Sequence, residues 1–134
     1  MKKDPLRIQG HVLLGILILQ YLFGMAANLF VRFPNTTSQS ALWDFTKSQA
    51  LLVIHMILGI LLFVGACVFA IRAAQSRNKQ WIISAGVGLF AVFIAVAAGA
   101  QFIPTQQDVY SYVMATAFIV AIIAYGWGIY KARK

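Results

Sequence analysis

Residues 50–71 read ALLVIHMILGILLFVGACVFAI, a run with no Asp, Glu, Lys or Arg. A hydrocarbon core roughly 30 Å thick asks for about 20 predominantly apolar residues in a helix that crosses it. The stretch meets that length and reads as a membrane span. Three further runs match it: Val12–Val31, Ile82–Ile103 and Val109–Tyr130. Once the four are set aside, only short connections and tails remain. Of the 134 residues 61% are hydrophobic and 10% are charged, where a soluble domain would carry about a quarter charged. The expectation is one all-α membrane domain over residues 1–134, a polytopic four-transmembrane-helix bundle.

The N-terminal run follows Lys2, Lys3 and Arg7, as the apolar part of a signal peptide would. It is too long for that part, and no small-residue cleavage site follows it at the right place, so it reads as the first retained span. Cys67 stands alone, which excludes an intrachain disulfide or a Cys-x-x-Cys redox centre. It reads as a small packing residue.

The net charge of +8 is distributed by topology. Lys2, Lys3 and Arg7 precede the first span, Arg72, Arg77 and Lys79 join the second to the third, and Lys131, Arg133 and Lys134 follow the fourth. The other side of the membrane holds only Arg32 and Lys47. Nine cations against two is a strong positive-inside bias and predicts a multi-pass protein with both termini in the cytoplasm. With Asp4 inside and Asp44 and Asp108 outside, the inner side carries the full +8 and the outer side none. Anionic lipid head groups suffice as partners for this charge, so nucleic acid is not expected.

Between the first two spans, residues 33–49 form the longest connection. Pro34, Asn35 and Thr36 stop the helix, and Leu42, Trp43 and Phe45 among polar residues predict a short amphipathic turn at the membrane surface. The second outer connection, around Pro104 to Asp108, offers Thr105 or Asp108 as an N-cap for the last span. Tyr110 and Tyr112 at one end, with Trp127 and Tyr130 at the other, match the aromatic belts of a span.

Small residues recur at helical spacing: Ser84, Gly88, Ala91, Ala95, Ala98 and Gly99 on the third span, and Ala117, Ala121, Ala124 and Gly128 on the fourth. Such faces let helices approach closely in lipid and predict a tight bundle without a wide aqueous pore.

Polar groups at membrane depth are costly and therefore informative. His11, Gln20, Asn28, His55 and Gln101 stand out. Counting in from the outer ends at 1.5 Å per residue sets Asn28, His55, Met114 and Thr116 at similar depth, with Gln101 slightly shallower. Two readings follow. In the first, Asn28 and His55 bond each other or a nearby hydroxyl and fix helix register. In the second they form a ligand site with Met114 and Gln101. There His55 is an axial haem ligand opposite Met114, Met25 or Met56, or a hydrogen-bond donor to a quinone. A metal role for His55 exists only if haem is bound. His11, at the inner end of the first span, lies roughly 20–25 Å from His55 by helical rise and cannot share one iron with it, though a two-fold dimer would pair two copies of His55. Gln20, near mid-membrane, is expected to bond a backbone carbonyl or a partner helix.

No carboxylate is embedded in a span, so proton-coupled export through a buried glutamate has no candidate residue. The sequence offers no Ser–His–Asp triad, aspartate dyad, phosphate loop or metal-ligand cluster.

The Gly-Met-x-x-Asn-Leu-Phe ending (Gly24 to Phe30), the Ile-His-x-x-Leu-Gly start (Ile54 to Gly59) and Ser-Tyr-x-Met-Ala (Ser111 to Ala115) resemble a class of small four-span proteins of Gram-positive bacteria. The resemblance implies the same topology and a bacterial plasma membrane, and brings no activity with it. The leading expectation is a non-enzymatic subunit or accessory protein that packs with other membrane helices, as a homodimer or in a larger complex. A haem- or quinone-binding electron-transfer protein using His55 is the alternative, and a small transporter or channel subunit the next.

Overall fold

The computed structural model describes residues 4–132, and they form five helices in the order α1 (Pro5–Phe30), α2 (Gln39–Ser48), α3 (Ala50–Gln75), α4 (Lys79–Thr105) and α5 (Asp108–Lys131). Four of them, α1, α3, α4 and α5, are long and apolar enough to cross a membrane. Lys2, Lys3, Arg133 and Lys134, part of the predicted cytoplasmic charge, lie outside the described residues.

The long helices close into a ring in which α1 touches α3 and α5, and α4 touches α3 and α5. Chain neighbours run antiparallel, the arrangement that short connections impose on a bundle. One end of the ring carries Arg7, Arg72, Arg77, Lys79 and Lys131 and is called the basic end below. The short helix α2 crosses the other end and packs on α3 and α4.

Local chemistry sets the helix ends. The Asp4 carboxylate accepts from the Leu6 N–H at 3.0 Å and Pro5 occupies the first turn, a strong start signal. Helix α1 therefore begins seven residues before the apolar run. Asn78 caps α4 by accepting from the Gln80 N–H at 2.9 Å. The connection at residues 33–49 holds a helix of ten residues rather than a turn, with Leu42 and Thr46 buried. Phe33 joins its Phe45 to Phe102 of α4, with ring centroids 5.4 and 5.8 Å apart.

The start of α5 differs from expectation. Thr105 belongs to α4, where its hydroxyl donates to the Gln101 carbonyl at 2.6 Å. Asp108 is already the first residue of α5, and the N-cap is Gln107, which makes no side-chain cap bond. Pro104 lies in the last turn of α4 and has no N–H to return to the Ala100 carbonyl, and only Thr105 follows it in the helix. The left-handed Gln106, at φ 52°, completes the stop.

The core sits toward the basic end. Phe69 of α3 meets Trp81 of α4 and Tyr125 of α5 edge-on, each pair with centroids 5.6 Å apart. Leu13 and Leu17 of α1 belong to the same buried cluster. Edge-to-face rings add to the burial of such large side chains.

Candidate functional site

The seam between α1 and α3 is built from large side chains set over glycines. Leu13 faces Gly65, Gln20 faces Gly59 and His55 faces Gly24. Two of these contacts are reciprocal. Each helix supplies a polar residue and, four positions later, a glycine: Gln20 with Gly24 on α1, His55 with Gly59 on α3. Residues four apart share a helix face, so in an antiparallel pair each polar side chain drops into the other helix's gap. A Cβ on Gly24 would stand 3.0 Å from the His55 ring, and one on Gly59 would stand 3.1 Å from the Gln20 amide nitrogen.

The hydrogen bonds follow from this fit. Gln20 Nε2 donates to the His55 backbone carbonyl at 2.9 Å. That carbonyl already serves the helix bond to residue 59, and the missing side chain at Gly59 leaves its second lone pair open to Gln20. The same amide nitrogen stands 3.4 Å from His55 Nε2. Its second hydrogen then meets a ring lone pair, which puts the imidazole proton on Nδ1 by the hydrogen-bond pattern. Two buried atoms of this pair have no partner among the described residues: Gln20 Oε1 and His55 Nδ1. Gln20 is 3% exposed, deep in the bundle.

The sequence-predicted site residues are not brought together. Asn28 is exposed on the last turn of α1, and its side chain makes no hydrogen bond among the described residues. The pairing of Asn28 with His55 is replaced by Gln20 with His55. The 3.6-residue period explains the change. Positions four apart drift by about 40°, so Asn28, two such steps beyond Gln20, rotates off the α3 seam that Gln20 and Gly24 occupy. Gln101 is exposed on α4. Met114 is half-buried on the opposite seam, its sulfur against Gly99 of α4. Met25 is 46% exposed, and Met56 is half-buried beside His55 in the chain. His11 is exposed, its Nδ1 2.7 Å from the Arg7 carbonyl. No set of three or more His, Cys, Asp or Glu groups that could hold a metal ion occurs among the described residues.

These positions do not fit a haem held by His55 and Met114. The two side chains lie on different seams, and the ring nitrogen that usually ligates iron faces the Gln20 amide. A hydrogen-bonding ligand at Nδ1 suits the imidazole better.

One buried group had no predicted role. Tyr125 is fully buried and its hydroxyl has no partner among the described residues. It lies over Gly88 of α4, where a Cβ would stand 2.8 Å from the Tyr125 oxygen. One turn away, the Ser84 hydroxyl donates to the Ala124 carbonyl at 2.8 Å, against Gly128. The sequence carries the signal for Gln20 and His55, the repeated spacing of a polar residue and a glycine, but nothing comparable for Tyr125.

These spans define a class: the chain is a small multi-pass integral membrane protein. No family model matches it, and neither does any curated protein or solved structure.

Proposed function

We propose that the protein is a non-enzymatic subunit or accessory component of a membrane complex, and that its partner's helix packs on the half of α1 and α3 remote from the basic end. One observation carries the reading. From Ala50 to Leu61 no residue of α3 is buried, and all four buried residues of the helix lie from Leu62 to Ala73. Lipid alone serves the apolar side chains of that half. It does not serve His55, the only polar side chain there, which anchors the clasp to α1. A partner helix would finish its burial and stiffen the clasp, since interhelical packing and hydrogen bonding drive association in lipid.

We also assign the protein to the bacterial plasma membrane with both termini cytoplasmic. The motif resemblance supports the first part. For the second, Arg7, Arg72, Arg77, Lys79 and Lys131 share one end of the bundle, against Arg32 and Lys47 at the other. Accessibility of single cysteines at residues 47 and 79 to an impermeant reagent, in intact cells, checks it. Labelling at 79 and not at 47 would reverse the orientation.

The docking reading is tested by photocrosslinking from Ile57 on α3 and Ile119 on α5, which are 52% and 51% exposed. A discrete protein adduct from Ile57, and none from Ile119, is the expected result. Equal or absent adducts, with a monomer in native mass spectrometry, would sink it.

A second reading keeps one specific observation, the unpartnered Nδ1 of His55. Turned outward about χ2, that N–H would donate to the carbonyl of a lipid-soluble quinone. Solvent extraction of the purified protein should then release a quinone in proportion to protein, and His55→Phe should abolish it. Protein free of quinone leaves the subunit reading alone.

A further inference from the structure

The outer face of α4 and α5, turned away from α1 and α3, carries a continuous apolar groove. It has two stretches of about 320 and 300 Å³ that share Val87 and Val120. Ile83 and Val87 form one wall; Val120, Ile123 and Trp127 form the other. The groove ends at Tyr112 and Thr116. From Trp127 to Tyr112 the helical rise gives about 22 Å, more than the roughly 15 Å depth of one leaflet.

Each wall runs into a lysine at the basic end. Lys79, Ile83 and Val87 follow at four-residue steps on α4, and Ile123, Trp127 and Lys131 do so on α5. Lys79 is a single four-residue step from Ile83, and Lys131 a single step from Trp127, so both long side chains start within reach of the groove's mouth; the Lys131 ammonium rests over the Tyr130 ring, 5.9 Å from its centroid. Both lysines are exposed, and the one ion pair among the described residues, Lys47 with Asp44, is at the other end of the bundle. Trp127 lines the groove just below them, at the depth where an indole bridges acyl chain and head group.

We propose that this groove is a fixed site for an anionic glycerophospholipid, with one acyl chain along Val87 and Val120 and the phosphate between Lys79 and Lys131. Charge complementarity selects the occupant. A neutral lipid would fill the groove and leave the two cations unmatched, and an apolar partner helix would do the same. The site is independent of the α1–α3 surface assigned to a partner above.

Native mass spectrometry in mild detergent tests the site, with dioleoyl phosphatidylglycerol and dioleoyl phosphatidylcholine as probes. One equivalent of phosphatidylglycerol should persist after phosphatidylcholine has dissociated. Each lysine near a charged lipid surface contributes about a fivefold preference, so Lys79→Ala with Lys131→Ala should lower the preference roughly thirtyfold. Lys47→Ala should leave it intact. Val87→Trp, which fills the groove at a lipid-facing position, should release the bound lipid while the cations stay. Equal retention of the two lipids, or a preference that survives the double lysine change, overturns the proposal. So does competition by soluble glycerol phosphate, which would show a headgroup site without a chain, or a protein adduct from a crosslinker at Val87.

Discussion

The α4–α5 seam and the α1–α3 seam hold antiparallel helices together in the same bundle with different means. Between α4 and α5 the buried rows are small, Ala91, Ala95 and Ala98 against Ala117, Ala121 and Ala124, with Tyr125 sunk over Gly88. Contact there is continuous along the helices, with one hydrogen bond across it, from the Ser84 hydroxyl to the Ala124 carbonyl. Between α1 and α3 the contact is carried by a few large side chains in glycine gaps, two of them polar, and the half of α3 from Ala50 to Leu61 buries nothing. The first seam gains from dispersion over many atoms. The second depends on an amide, an imidazole and one carbonyl. Shape complementarity in the first leaves little freedom to rearrange, whereas the second can shift side chains at low cost. A surface meant for a partner is expected at the second.

Trp81→Ala should produce the largest effect. Trp81 is 2% exposed, lies edge-on to Phe69 and also reaches Gly10 and Gly128. It is where the two seams meet, so its loss removes a support from both. Truncating a buried aromatic residue costs about 3–5 kcal/mol. Unfolding in mixed micelles should show that loss. A change below about 1 kcal/mol would mean the seams do not share a core.

Gly88→Ala comes next and loads the α4–α5 seam alone. The added methyl would meet Tyr125, which cannot turn away because it is fully buried and packed on Phe69. The helices must part instead, and overpacking of this kind costs about 1–3 kcal/mol. The same measurement decides it. Stability unchanged from the parent would show that the seam is looser than its geometry.

The contrast between the seams also explains what was legible in the sequence. The four spans follow from composition and length, because lipid rewards uninterrupted apolar runs. The alanine and glycine rows of α4 and α5 follow from period alone, since a small residue has no alternative conformation to choose from. The polar clasp does not. Depth counting correctly places His55 near one end of α3, yet depth says nothing about rotation around the helix axis. That rotation separates Gln20, buried, from Asn28, exposed. It also separates Met114, on the opposite seam, from His55. The helix at residues 39–48 was legible as an amphipathic surface segment, but its length was not, since Ser38 gives a start signal and the stop comes only from its junction with α3.

Gln20→Met sharpens the comparison from the other side. It removes the donor to the His55 carbonyl, a bond worth about 1 kcal/mol. It also removes Oε1, a buried acceptor without a partner among the described residues, whose cost is about 1–3 kcal/mol. The carbonyl keeps its helix bond, and the further loss is the long 3.4 Å contact to His55 Nε2. The two terms nearly cancel, and stability should stay within about 1 kcal/mol of the parent. A loss of about 3 kcal/mol would mean Oε1 has a partner in the membrane, such as bound water or a ligand. The quinone and partner-helix readings would then have a shared anchor at Gln20.

Gly24→Ala should have the smallest effect, although its geometry superficially resembles that of Gly88→Ala. The new methyl would stand 3.0 Å from His55 Cε1, a tight contact. What decides the outcome is whether the neighbour can yield. His55 is half-buried, on the half of α3 with no buried residue, and only the far edge of its ring is crowded. A small χ rotation relieves the contact, so the cost should fall below about 0.5 kcal/mol, the range of surface changes. The rotation should still be visible, because it moves Nε2 relative to the Gln20 amide. The imidazole nitrogen resonances of His55 should shift while those of His11 stay in place. If Gly24→Ala instead costs as much as Gly88→Ala, the imidazole is held as firmly as the Tyr125 ring. The α1–α3 seam would then be a closed interface like its counterpart, with no room for a partner to act on it.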